Sequence, residues 1–212
     1  ETVSMKTVGE KWNFNGKNRF AHEGILKSAD FICSELKEKG ILDKKLKELQ
    51  GKGNNKNDYG LTIVGHSLGA ALASVVSYIL KSEYKDIQCF AFAPPACVFD
   101  PETAEECEDF ITSVVLGDDC VPRINFCSLV HMRERVLDAL VRSKVSKHVI
   151  FRTSYEDFDE DKYLYKEGEV PNSSLKVNVD AFNKKMVLHH RDPHTPECTI
   201  GGKIIHLVET SL

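Results

Sequence analysis

The pentapeptide Gly65-His66-Ser67-Leu68-Gly69 constrains this chain more than any other stretch. A short apolar run, Leu61–Val64, precedes it with the length and branching of a buried strand. Leu68–Leu80 follows as a strongly apolar segment of helical length. A strand that turns into a helix over G-x-S-x-G lifts the serine hydroxyl above the carboxyl edge of a sheet. Both glycines leave room for neighbouring backbone. The helix N-terminus adds positive partial charge, and the amide after the serine, Leu68 N–H, can donate to an oxyanion. The pattern by itself also fits an unreactive small-residue turn. The strand before it and the helix after it make Ser67 a candidate nucleophile.

The rest of the chain repeats the strand–helix alternation. Ile25, Leu26, Ala29, Ile32, Cys33 and Leu36 recur at helical spacing between His22 and Lys39. A charged helical piece, Lys44–Leu49, runs into the turn-rich GKGNNKND. Ile87–Ala93 reads as a strand stopped by Pro94-Pro95, and Asp100-Pro101 starts a short helix as cap and first residue. Phe110–Leu116 is a further buried strand, Ser128–Val141 a helix, His148–Phe151 a short strand candidate and Lys203–Val208 a last strand. Continuously apolar strands between helices predict an α/β fold, a mostly parallel sheet with helices on both faces. Residues 1–20 show no steady period. Residues 152–200, with EDFDEDK and HHRDPHTPE, read as a polar insertion or flap.

A nucleophilic serine needs a base, and the base an orienting carboxylate. Asp118 and Asp119 follow the Phe110–Leu116 strand and so fall at the same sheet edge as Ser67; either suits the acid. No metal-ligand spacing accompanies them, and neither metal nor cofactor is expected. None of the eight histidines reads as a convincing base. His66 precedes the serine, His189, His190 and His194 lie in the polar insertion, and His206 stands inside a strand.

Composition narrows the partners. Lys and Arg number 28 against 32 Asp and Glu, a net charge of −4 without a basic cluster, which excludes a nucleic-acid surface. No apolar run reaches the roughly 18–20 residues of a membrane span. Seven scattered cysteines, with no C-x-x-C pair, are expected to be free thiols in a reducing compartment.

The stretches AHEGILKSADFI, YGLTIVGHSLGAALAS, CFAFAPP, FITSVVLGDDCVPRI and GGKIIHLVE occur in that order. Together they resemble the catalytic domain of the class 3 (fungal-type) lipases, most closely the sn-1-specific diacylglycerol lipases. The resemblance implies an α/β-hydrolase fold, incomplete at both ends, over residues 1–212. It implies Ser67 as nucleophile, Asp119 rather than Asp118 as triad acid, and Leu68 as one oxyanion donor. The catalytic histidine is then expected after Leu212, and the second oxyanion group and a membrane anchor before Glu1. The implied substrate is diacylglycerol, cleaved to a monoacylglycerol and a fatty acid at the cytoplasmic face of a membrane. Two other readings stay open: an inactive lipase-like scaffold that binds lipid or a partner, and another serine esterase or phospholipase.

Overall fold

A computed structural model of the chain describes residues 9–14, 17–50, 59–154, 156–166, 169–170 and 197–209. They fall into two compact units, Glu1–Phe126 with Asp192–Leu212, and Cys127–Arg191.

The first unit opens on an antiparallel hairpin, β1 (Gly9–Phe14) and β2 (Lys17–His22), with Trp12 opposite Arg19. The sequence shows no period here. The local signal is the turn dipeptide Asn15-Gly16, the strongest short-range hairpin marker, which itself lies outside the described residues. Helix α1 (Glu23–Glu38) follows at once, and His22 caps it, Nδ1 accepting the Ile25 amide at 3.4 Å. Ile25, Leu26, Ala29 and Cys33 are its buried stripe. After α2 (Ile41–Gln50) come β3 (Thr62–His66), α3 (Leu68–Leu80), β4 (Gln88–Phe92), α4 (Pro101–Glu106), β5 (Ile111–Leu116) and β6 (Lys203–Leu207).

The four later strands form one parallel sheet in the order β3-β4-β5-β6. The expected α/β class, a parallel sheet flanked by helices, is thus what the chain forms. Helix α3 packs on β3 and β4, and α1 packs on α3. Ala70, Ala71, Val75, Leu80, Cys89, Ala91 and Ile111 build the shared core. A helix rich in alanine on its sheet-facing side brings its axis close to the strands, so the layer leaves few voids. On the opposite face Val64, Phe90, Phe92 and Ile205 keep 39–60% of their surface exposed among the described residues. The alternation of exposed and buried positions along β4 follows from the period-two pleat.

Buried polar groups tie the hairpin to this core. Asp100, 5% exposed, accepts the Phe20 and Thr103 amides at 2.8 and 2.9 Å, linking β2 to the start of α4. Arg19, 2% exposed, pairs with Glu102 at 3.0 Å and with Glu106, whose other oxygen takes the Tyr78 hydroxyl at 3.1 Å. None of the seven cysteines is in a disulfide, and burial pushes the Cys33 thiol up to about 11.

The second unit holds α5 (Phe126–Arg142), α6 (Lys147–Arg152) and α7 (Glu160–Tyr163). Arg142 joins Asp138, Glu160 and the Tyr165 carbonyl. The strand expected at His148–Phe151 is instead the helix α6. Four residues, three of them apolar, are too few to separate the two periods, and Ser146, extended in front of the run, lets a helix start. Of the polar 152–200 stretch, residues 171–196, with His189, His190 and His194, lie outside the described residues.

Candidate active site

The sheet sets the site because every parallel strand delivers its carboxyl end to the same edge. Ser67 is the residue after β3, with φ 54 and ψ −123, outside the regions that L-residues favour. Its amide donates to the Phe92 carbonyl at 2.9 Å, and its own carbonyl accepts Ala70 N–H at 2.9 Å and Ala71 N–H at 3.2 Å. The backbone of the turn is therefore fixed from both sides. The hydroxyl caps nothing in α3 and stays half-buried. A helix-capping serine would spend its oxygen on the first turn; Ser67 does not.

Gly65 explains the first fixed glycine of the pentapeptide. A Cβ there would lie 2.1 Å from the Gly69 carbonyl oxygen and 2.7 Å from Ala70 N, so helix and strand can meet only without a side chain. Gly69 differs from the expectation: a Cβ there meets nothing within 4 Å. It lines an apolar cleft of about 340 Å³ with Ile63, Leu72 and Val76, beside β3, the first strand in the order of the described sheet. Leu68, the candidate oxyanion donor, opens α3, and its side chain is 62% exposed. No described acceptor takes its N–H, as for the first amides of any helix.

The two aspartates separate once folded. Asp118 is exposed. Asp119 is half-buried, its amide donates to the Leu116 carbonyl at 3.1 Å, and its Oδ1 accepts Val121 N–H at 3.0 Å. Such an Asx turn points the carboxylate in one direction. β3 and β5 lie two strand spacings apart, about 10 Å, which is a gap that an imidazole bridges between a serine and a carboxylate.

The described histidines do not fill that gap. His22 is a helix cap, and His66 is exposed at the end of β3. His206, exposed, pairs across from Val115 and sets Nε2 2.9 Å from the Gly117 carbonyl. None of the described histidines bonds Ser67 or Asp119. No cluster of metal-ligating side chains occurs among the described residues.

A turn holding a serine at positive φ between a parallel strand and a helix, with a fixed aspartate two strands away, is the strand–turn–helix frame of the α/β-hydrolase fold. The family model for lipase (class 3) matches residues 2–129, and the chain belongs to that family. Among curated relatives, diacylglycerol lipase-alpha of Rattus norvegicus is 38% identical over 197 residues, 88% of this chain and 17% of the relative. Diacylglycerol lipase-beta of Mus musculus is 30% identical over 130 residues, 61% of this chain and 18% of that protein. The chain thus spans less than a fifth of these relatives' length. A solved lipase from Rhizopus microsporus var. chinensis matches with 19% identity and a TM-score of 0.44, over 59% of this chain and 45% of the other.

Proposed function

We propose that the chain carries the nucleophile and acid of a serine lipase that cleaves the sn-1 ester of diacylglycerol through an acyl-enzyme. The observation that carries the reading is the juxtaposition at one sheet edge of a strained Ser67 with an uncommitted hydroxyl and the oriented carboxylate of Asp119. The kinship with diacylglycerol lipases supports the choice of substrate.

In this mechanism Ser67 Oγ attacks the ester carbonyl carbon while its proton passes to a histidine nitrogen. No described histidine bonds Ser67 or Asp119, so that histidine is sought outside the described residues. Asp119 accepts the other imidazole N–H and stabilises the imidazolium. The tetrahedral oxyanion takes the Leu68 N–H, helped by the N-terminal dipole of α3. Collapse expels the glycerol oxygen, which leaves with the proton held by the imidazole, and a fatty acyl group stays on Ser67. Water then repeats the sequence and frees the acid. No metal or cofactor enters, and the site works at the cytoplasmic face of a membrane, where diacylglycerol resides. No described helix is long and apolar enough to cross a bilayer itself.

A fluorophosphonate probe on the full natural polypeptide tests the reading. Labelling is expected at Ser67, lost in Ser67→Ala, together with release of fatty acid from diacylglycerol in preference to phospholipid. A folded polypeptide that neither takes the label nor hydrolyses any ester overturns it in favour of a lipid-binding scaffold. Preference for phospholipid or short-chain esters moves the substrate assignment to another esterase class.

A further inference from the structure

We propose that Arg123 and His206 are positioning residues that lock the loop carrying Asp119 by converging on one backbone oxygen, the carbonyl of Gly117. The proposal rests on the reading of Asp119 as triad acid.

The loop leaves β5 through Gly117, whose φ of +47 turns the chain sharply away from the strand direction. Two backbone bonds hold the start of the loop, Gly117 N–H to the Leu207 carbonyl at 2.7 Å and Asp119 N–H to the Leu116 carbonyl at 3.1 Å. Both lie on the strand side. On the far side, Arg123 folds back over its own loop. Its Nη1 donates to the Asp119 carbonyl, and its Nη2 donates to the Gly117 carbonyl at 3.2 Å. His206 reaches the same Gly117 carbonyl from β6, with Nε2 at 2.9 Å. A carbonyl oxygen offers two lone pairs, and here each meets a side-chain donor. Because the acceptor is a carbonyl, His206 Nε2 carries a proton, so the tautomer is set.

This arrangement gives a reason for two exposed side chains beside the Asp119 loop. Arg123 and His206 are both exposed, and hydrogen bonds at exposed positions add little to stability. A histidine inside the exposed edge strand β6 is otherwise unexplained. Yet the atoms they grip are the backbone oxygens of Gly117 and of Asp119 itself. A planar guanidinium bridging these two carbonyls fixes their separation, and so fixes where the Asp119 side chain leaves the backbone. A displacement of about 1 Å in a triad member lowers turnover by roughly a hundredfold.

The test measures kcat and KM of the full natural polypeptide with a soluble ester, alongside melting temperature. Arg123→Ala and His206→Ala are each expected to lower kcat about tenfold to a hundredfold with KM unchanged. His206→Gln, which keeps an N–H donor at the same reach, restores most of the rate. Arg123→Lys, which keeps the charge without the fork, does not. Melting temperatures stay within about 3 °C of the parent in these variants. Wild-type kcat in folded Arg123→Ala and His206→Ala, beside an inactive Asp119→Asn, overturns the clamp and leaves the triad intact. Full turnover by Asp119→Asn instead removes the triad assignment, and the clamp with it. If Arg123→Ala does not fold, the His206 pair decides: equal rates for the Ala and Gln variants overturn the proposal.

Discussion

The turn that ends β3 and the turn that ends β5 share a positive φ and a bond to the neighbouring strand while carrying different side chains. Ser67 has φ 54 and Gly117 φ 47; each is the first residue past its strand, and each donates its amide to the neighbouring strand, at 2.9 and 2.7 Å. Ala93, past β4, repeats the device with φ 49 and its N–H on the Val114 carbonyl at 2.8 Å. Three successive strands therefore each end on a residue of positive φ whose amide bonds the next strand. At Gly117 that conformation is nearly free, because glycine lacks a Cβ. At Ser67 it costs about 1–3 kcal/mol, a cost that the proposed nucleophile would account for. Nothing in the structure explains why alanine rather than glycine occupies position 93. The comparison teaches that the sheet supplies the geometry and the chemistry supplies the residue.

Substitutions can break this comparison, and the largest effect should fall on turnover. Ser67→Ala and Asp119→Asn are expected to lose about 10⁴-fold or more in kcat in the full polypeptide, while their melting temperatures hold near the parent's. A similar loss with a collapsed melting transition would mean that the aspartate is only structural. For residues 1–212 alone, turnover is expected to fall about 10⁴-fold below the full polypeptide's, since no described histidine bonds Ser67 or Asp119. Rapid hydrolysis by that stretch would place the base within it, with His206 the first to substitute.

Next in size is Gly65→Ala. Its Cβ would collide with backbone on α3, which has no rotamer to yield, so a loss of roughly 3 kcal/mol or more is expected in chemical denaturation. Below that, the two turns should respond with opposite signs. Ser67→Gly relieves the left-handed strain and should stabilise by about 1 kcal/mol, though it abolishes activity. Gly117→Ala places a Cβ in open space but at positive φ, and should destabilise by about 1 kcal/mol. Equal signs in these two variants would show that the turns are not equivalent after all.

How far the sequence revealed this arrangement depended on whether a feature was local. The elbow was legible because strand, glycine, serine and helix are contiguous, and α3 occupies the expected Leu68–Leu80. α1 was equally plain from its buried stripe. By contrast, β1 and β2 carry no usable period, because a short hairpin can be specified by its turn alone. His148–Phe151 misled because an apolar run shorter than two helical turns has no readable period. In the site, spacing left Asp118 and Asp119 equivalent. The separation comes from the Asx turn on Val121, a contact visible only once the loop is folded. The convergence of Arg123 and His206 on Gly117 joins residues more than 80 positions apart in sequence, and no local pattern marks it.

The smallest effect concerns the second glycine of the pentapeptide, and it sharpens the contrast with Gly65. Gly69 sits in the first turn of α3, at a position where a methyl group would touch nothing within 4 Å. Alanine is the better helix former by up to about 1 kcal/mol, less near a helix end. Gly69→Ala should therefore stabilise residues 1–212 by a few tenths of a kcal/mol, a change read as a small rise in melting temperature. The same substitution in the full polypeptide discriminates further. An equal gain there means that the apolar cleft beside β3 stays open above Gly69. A loss means that other backbone lies over this position, and the two glycines then serve the same purpose against different neighbours: Gly65 against the helix, Gly69 against a segment packed along β3.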